Sequence, residues 1–318
     1  MGELAGRPVA GGAAPALPGT VARPPRADIL LMAVGIAAVS TSGPLMAAVA
    51  VPALAVAMWR NLLAVLAIWP VALVTRRSEL TGMVRRERVW ALVAGLFLAG
   101  HFATWVPSLR YTSVASATAI VCTQPIWVAL LARARGHLVP SRTWLGIGVA
   151  MVGAVLLTGV DFSLDTRSLV GDLLALLGGM FAALYTVAGA EVRRTVSTTT
   201  YTAVCYSTAA VVLLTGCLVG GVQIWGFSGL SWLQLLALTV GAQLLGHSVF
   251  NVVLRTTSAT VVSLVLLLEI PGAALIAAVT LGQVPPLAAL PAALLLLVGL
   301  GIVISSAGEG VEASVPTE

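Results

Sequence analysis

The chain has 318 residues, 59% of them hydrophobic and only 9% charged, with a mean hydropathy of +1.03. A soluble domain carries about 25% charged residues, so this composition excludes water as the main solvent. The sequence pI near 9.7 comes from 17 arginines and no lysine. They cluster in short links between apolar runs, the pattern of membrane topology, and no nucleic-acid partner is expected.

Residues 1–27, rich in Gly, Ala, Pro and Arg, read as a disordered cytoplasmic tail and not as a cleavable signal peptide. Apolar runs long enough to span then follow at 29–50, 52–73, 89–108, 112–132, 143–160, 169–190, 201–221, 233–254, 259–281 and 286–306. The breaks carry turn or charge signals: Pro52, Arg76 to Arg88, Arg110, Arg133 to Arg142, Asp161 to Arg167, Glu191 to Arg194, Gly226 to Gly229, Arg255 and Pro285-Pro286. The fold class expected is an all-α integral membrane protein of ten transmembrane helices. Cys122, Cys205 and Cys217 fall inside runs without metal-site or disulfide spacing and read as buried free thiols.

With the amino terminus inside, 14 arginines fall on the cytoplasmic side, Arg110 and Arg167 fall outside, and Arg60 lies within a run. The positive-inside rule then places both termini in the cytoplasm, as expected of a multi-pass plasma-membrane protein. Trp69, Trp90 and Trp144 mark the cytoplasmic belt and Trp105, Trp225 and Trp232 the external one. Trp59 and Trp127 sit deeper and read as packing residues.

The two halves resemble each other. Leu109-Arg110-Tyr111-Thr112-Ser113 recurs as Leu254-Arg255-Thr256-Thr257-Ser258, at an offset of 145 residues. Gly100-His101, Pro125, Gly136 and Gly153 match Gly246-His247, Pro271, Gly282 and Gly299 at an offset of 146. Five runs per copy is an odd number, so the second copy enters the membrane inverted, as two oppositely facing repeats around a midplane site require. The expected organisation is a tail at 1–27, five-helix repeats at 28–160 and 161–306, and a cytoplasmic tail at 307–318.

These strings resemble the EamA-type proteins of the drug/metabolite transporter superfamily over roughly residues 28 to 306. The likeness rests on Ala57-Met58-Trp59-Arg60, Ser108 to Ser113, Gln124-Pro125, Gly171-Asp172-Leu173, Leu254 to Ser258 and Leu268-Glu269. It departs where members carry Gly-Glu, here Gly136-His137 and Gly282-Gln283, and where Glu-Pro reads Glu269-Ile270-Pro271. The resemblance implies a secondary active transporter of a small organic solute, such as an amino acid, metabolite or drug-like compound, working as an exporter by alternating access.

Polar residues at membrane depth are the candidates for substrate binding or coupling. Glu269 lies near the middle of its run, where an acidic side chain costs about 2.5–3.5 kcal/mol. It is either a proton-coupling group or a packing lock. Arg60 is too deep to snorkel easily and needs a partner: a substrate anion, Glu269 or backbone carbonyls. His101 and His247 occupy matched positions, Trp105 lies close by, and Asn61, Gln124, Tyr185, Tyr206 and Asn251 complete a polar set. Interhelical hydrogen bonding explains these last residues equally well. Ser40-Thr41-Ser42-Gly43-Pro44 interrupts the first run, as a gate or kink.

No Walker A, His-Glu-x-x-His or Cys-x-x-Cys pattern is present, so neither a cofactor nor a metal is expected. The partners expected are a small-molecule substrate and membrane lipids, with protons as a candidate coupling ion; monomer and homodimer both stay open. A lipid-headgroup flippase or accessory membrane protein is the alternative. An intramembrane enzyme, imagined on Ser263 with His247, ranks below both.

Overall fold

With hydrocarbon as solvent, every backbone amide must be bonded within the chain, and helices do this segment by segment. A computed structural model describes residues 24–112, 114–158, 165–281 and 289–306, and these are helical with short links. Ser113, most of the Asp161 to Arg167 link, Gly282-Gln283, Pro285-Pro286 and nearly all of both tails lie outside the described residues.

In the first half, α1 (Arg26–Val39) and α2 (Ser42–Ala48) form one rod with a break, followed by α3 (Ala53–Thr75) and α5 (Arg85–Ser108). Between these two the arginine-rich link folds a short helix, α4 (Arg77–Gly82), where the sequence suggests only a break. Next come α6 (Val114–Val121) and α7 (Gln124–Ala134), a second broken rod, and then α8 (Ser141–Thr158). The second half comprises α9 (Thr166–Arg193), α10 (Thr198–Val219) and a rod of α11 (Gly229–Leu238), a π-helical stretch (Thr239–His247) and α12 (Ser248–Val253). It closes with α13 (Ala259–Val265), a tight turn at Leu266–Leu268, α14 (Glu269–Leu281) and α15 (Ala289–Ser306). The first helix starts at Arg26.

Among the described residues, seven helical rods are long and apolar enough to cross a membrane, and three shorter apolar helices lie at Ser141–Leu156, Ala259–Ala273 and Leu290–Ser305. Leu30, Leu66, Val74, Leu218 and Leu290 are exposed along these rods, a surface suited to lipid. Asp165, Ser197, Ser228 and Ser258 cap α9, α10, α11 and α13 by accepting backbone N–H bonds, which satisfies donors a helix start leaves open.

The helices pair across the two halves. α5 packs on α9 and, in the matching place, α1 packs on the π stretch and α12; α3 lies on α10, α7 on α13, and α8 on α15. The last pair meets backbone to backbone. A Cβ on Gly299 would stand 2.5 Å from the Ala150 amide and the Gly146 carbonyl, and one on Gly153 would stand 2.7 Å from the Ala292 carbonyl. Gly148 and Gly301 have no such neighbour.

This contact predicts that Gly299→Val destabilises the protein by at least about 2 kcal/mol, because overpacking against backbone cannot relax. Gly301→Val should leave stability near wild type. Thermal unfolding in detergent checks the pair.

Candidate functional site

Four irregularities in the helical rods converge on the interior. At the first, Ser40 Oγ donates to the Ile36 carbonyl and Thr41 Oγ1 to the Ala38 carbonyl, both at 2.7 Å, alongside the Ser40 and Thr41 amides that bond the same carbonyls. At the second, Pro125 starts α7, and Thr123 Oγ1 donates to the Ile120 carbonyl at 2.8 Å. The third is the tight turn at Leu266–Leu268, ahead of Glu269 and Pro271. The fourth, the π stretch, ends on His247. Irregular backbone at membrane depth is tolerated where it is buried in protein or lines a cavity.

A cavity lies where these breaks meet. About 60 Å³ of it is open to the centre of a water molecule, space for several waters. His101, Trp105, Gln124, Tyr185, His247, Asn251 and Glu269 line it, seven of the candidates singled out from sequence. Ser42, Cys122, Thr186, Phe250 and Ser263 join them. The lining reaches Leu254 and Val262, beside the turn between α12 and α13.

His101 Nδ1 donates to the Gly178 carbonyl at 2.9 Å, and the imidazole stacks on Trp105 with ring centroids 5.3 Å apart. The His247 ring lies 6.4 Å from that of His101 and 6.2 Å from that of Tyr185. Asn251 bonds Tyr185, its Nδ2 reaching the phenol oxygen at 2.7 Å, and Gln124 Nε2 donates to Thr186 Oγ1 at 2.8 Å. Trp105 Nε1 is buried without a hydrogen-bond partner, and the Glu269 carboxylate accepts no hydrogen bond from any described residue.

Arg60, Asn61 and Tyr206 are fully buried and do not line the cavity. Of the partners considered for Arg60, neither Glu269 nor backbone carbonyls bind it here. Its Nε donates to Gln243 Oε1 at 2.9 Å, its Nη1 approaches Ser42 Oγ at 3.5 Å, and its Cζ sits 4.1 Å over the Phe102 ring centroid. Gln243 Nε2 in turn donates to Asn61 Oδ1 at 3.2 Å. Arg60 Nη2 has no partner, although Glu269 is within electrostatic range. Tyr206 meets Ser248 at 3.3 Å. Gln243 is the main omission of the sequence reading; the available signal was an amide in an apolar run, four residues before His247.

Arginine and tryptophan contacts gather at one end of the bundle. Arg110 Nη2 donates to the Val49 and Val51 carbonyls at 3.0 and 3.2 Å, and Arg167 donates to the Arg110 carbonyl at 2.9 Å. Trp59 Nε1 donates to the Ile224 carbonyl at 2.8 Å, with its ring edge-on to Trp225 and Trp232, each 4.7 Å away. Trp59 thus packs, as expected, but within the tryptophan cluster of this end.

The opposite end is tied by polar contacts between the halves. Glu79 of α4 accepts from the Ser197 amide at 2.6 Å, the Ser197 hydroxyl at 2.5 Å and the Thr200 hydroxyl at 2.9 Å, at the start of α10. Arg86 meets Glu191 at 2.5 Å, and Thr195 donates to Glu87 at 2.7 Å. Asp28 accepts from Thr256 and Thr257 at 2.5 and 2.8 Å. Partial burial pushes the Glu79 carboxyl up, but the hydrogen bonds from Ser197 and Thr200 outweigh it and hold the group below the usual carboxylate range.

The profile of the EamA-like transporter family matches residues 27–159 and again residues 169–305. The chain belongs to the EamA-like transporter family. Among curated proteins none matches. Of 29 solved chains that match, one titled only "Crystal structure of protein" is 20% identical, superposes with a TM-score of 0.72, and covers 89% of this chain and 98% of its own. At that identity the likeness shows the fold alone. EamA-like proteins are membrane transporters, in keeping with the lipid-suited surface and the interior cavity. Ser263 Oγ donates to the Thr260 carbonyl at 2.9 Å, and no hydrogen bond joins it to His247 among the described residues. All three cysteines are free and buried.

Two outcomes follow. Gln243→Leu should cost about 2 kcal/mol, the value of a hydrogen bond to a charged group, and the double variant with Arg60→Met should be less destabilised than the sum of the single changes. A thermal-unfolding double-mutant cycle checks this. For Glu79 the folded-state pKa lies below the reference of 4.5, so its stabilisation is present above that value and is lost as the pH falls through the folded value. Amide exchange in α4 and the first turn of α10, corrected for intrinsic rates, should therefore rise between about pH 5 and about pH 3, and Glu79→Gln should show the rise already at neutral pH.

Proposed function

We propose that the protein is a secondary active transporter that exports a small organic solute by alternating access. The observation that carries this reading is the interior cavity, which is lined by aromatic and polar groups from both family repeats. A solute site between two repeats, reached from one side at a time, is what a carrier requires.

The seven long and three shorter apolar helices are read as ten spans. They form two repeats, 28–160 and 161–306, of opposite orientation, and the cross-half pairing of α5 with α9 and of α1 with the rod of α11 and α12 supports that symmetry. The arginine distribution supports cytoplasmic termini in a plasma membrane, which makes the end with the Arg110 and Trp59 contacts external; the lining reaches the turn between α12 and α13 toward the other side. Of the candidates, the seven lining residues contact solute, and Arg60, Asn61 and Tyr206 support them from behind. Glu269, a carboxylate with no hydrogen-bond partner among the described residues, is the proposed coupling group, with protons as the coupling ion.

Flux of a pooled metabolite library through proteoliposomes, with and without an imposed pH gradient, tests the assignment. Selective flux that responds to the gradient in wild type and loses that response in Glu269→Gln is expected. Gradient response that survives the substitution would remove Glu269 from coupling, and absence of flux from folded protein in both orientations would overturn the transport reading.

A further inference from the structure

The repeats match in shape but not in charge. At the offset of 146 that relates Pro125 to Pro271, Glu269 corresponds to Thr123 and Arg60 to Tyr206. Each charge is therefore present on one copy only, and the two stand in different settings. Glu269 lines the cavity, whereas Arg60 is fully buried outside the lining, bonded to Gln243 and covered by the Phe102 ring. Among the described residues of the lining, Glu269 is the one acidic or basic side chain besides the two histidines.

An anionic group at this depth is costly unless it is neutralised or paired, and Arg60, the cation within electrostatic range, makes its hydrogen bonds to other residues. The walls around Glu269 are suited to the missing partner. Trp105, Tyr185 and Phe250 present aromatic rings to the same space, and ring faces attract an organic cation within about 6 Å. Asn251 and Tyr185 already satisfy each other, and Gln124 is bonded to Thr186, so these groups are engaged with protein neighbours. The field of Arg60, within electrostatic range of Glu269, makes a second positive charge on the ligand unfavourable. The small cavity also limits the cation's bulk.

We infer that the solute taken up by this cavity is a compact organic monocation, an alkylammonium whose charge sits against Glu269 and whose alkyl groups rest on Trp105, Tyr185 and Phe250. This assignment rests on the transport reading and narrows it. Zwitterions and carboxylates are disfavoured because the cationic group that would hold a carboxylate, Arg60, lies outside the lining.

The test compares three probes of one shape on the purified full chain in detergent and in proteoliposomes: choline, its neutral isostere with carbon in place of nitrogen, and trimethylglycine. Choline should bind at least about tenfold more tightly than either of the others, the equivalent of about 1.4 kcal/mol, and Glu269→Gln should remove that preference. Cys122 in the same lining supplies a second measurement that does not depend on the folding of this variant. With Cys205 and Cys217 replaced by Ala, a cationic methanethiosulfonate should modify Cys122 at least about tenfold faster than an anionic one, relative to their rates on free thiol, and choline should protect it. Equal binding of choline and its neutral isostere, tighter binding of trimethylglycine, or faster anionic modification would each overturn the assignment. Library flux made up of neutral or anionic solutes would overturn it while leaving transport intact; absence of all flux would instead remove the transport reading on which it rests.

Discussion

Arg60 is the constraint around which the interior is organised. A guanidinium carries five donors and a permanent charge, and here it has no solvent exposure. The chain surrounds it with an amide from Gln243, a hydroxyl from Ser42 and the face of Phe102, drawn from three different rods. Ser42 is available because the first rod breaks at Ser40–Thr41, and Gln243 belongs to the π stretch. Two of the four backbone irregularities thus bring in Arg60's partners, and all four border the cavity that lies beside it.

That arrangement places polar groups where lipid cannot reach and leaves aliphatic side chains outside. It also separates two kinds of polar residue. Asn61, Gln243 and Tyr206 are engaged with protein neighbours and stabilise the helix packing. Among the described residues, the Glu269 carboxylate and the indole nitrogen of Trp105 have no hydrogen-bond partner, and both residues line the cavity. Native interiors rarely leave polar groups unmatched, and where they do a ligand or water is the usual reason.

Much of this was legible in the sequence. Hydrophobic run length located every rod to within a few residues, and the recurrence of Leu109-Arg110 as Leu254-Arg255 revealed the halves. The break at Ser40 to Pro44 followed from one proline and its neighbouring hydroxyls. The π stretch could not be read, because nothing in Thr239 to His247 marks an added backbone residue, and only tertiary packing selects it over an α-helix. The same limit hid the partner of Arg60. Depth showed that a partner was required, but choosing Gln243 over Glu269 depends on which faces the rods turn to each other. Sequence also grouped Asn61 and Tyr206 with the cavity residues, because polarity at depth does not distinguish a lining side chain from one bonded behind the wall.

The glycine contact between α8 and α15 bears on how the chain is made. Gly146 and Gly153 prepare a surface whose complement, Gly299, is translated almost the whole second half later. α1, α3 and α5 likewise find their main neighbours in the other half. During synthesis the first five rods enter the bilayer without the surfaces they are shaped to meet, so the insertion machinery or surrounding lipid must hold them apart until the ribosome delivers their mates. A protein divided between its repeats would accordingly assemble only when both pieces share one membrane.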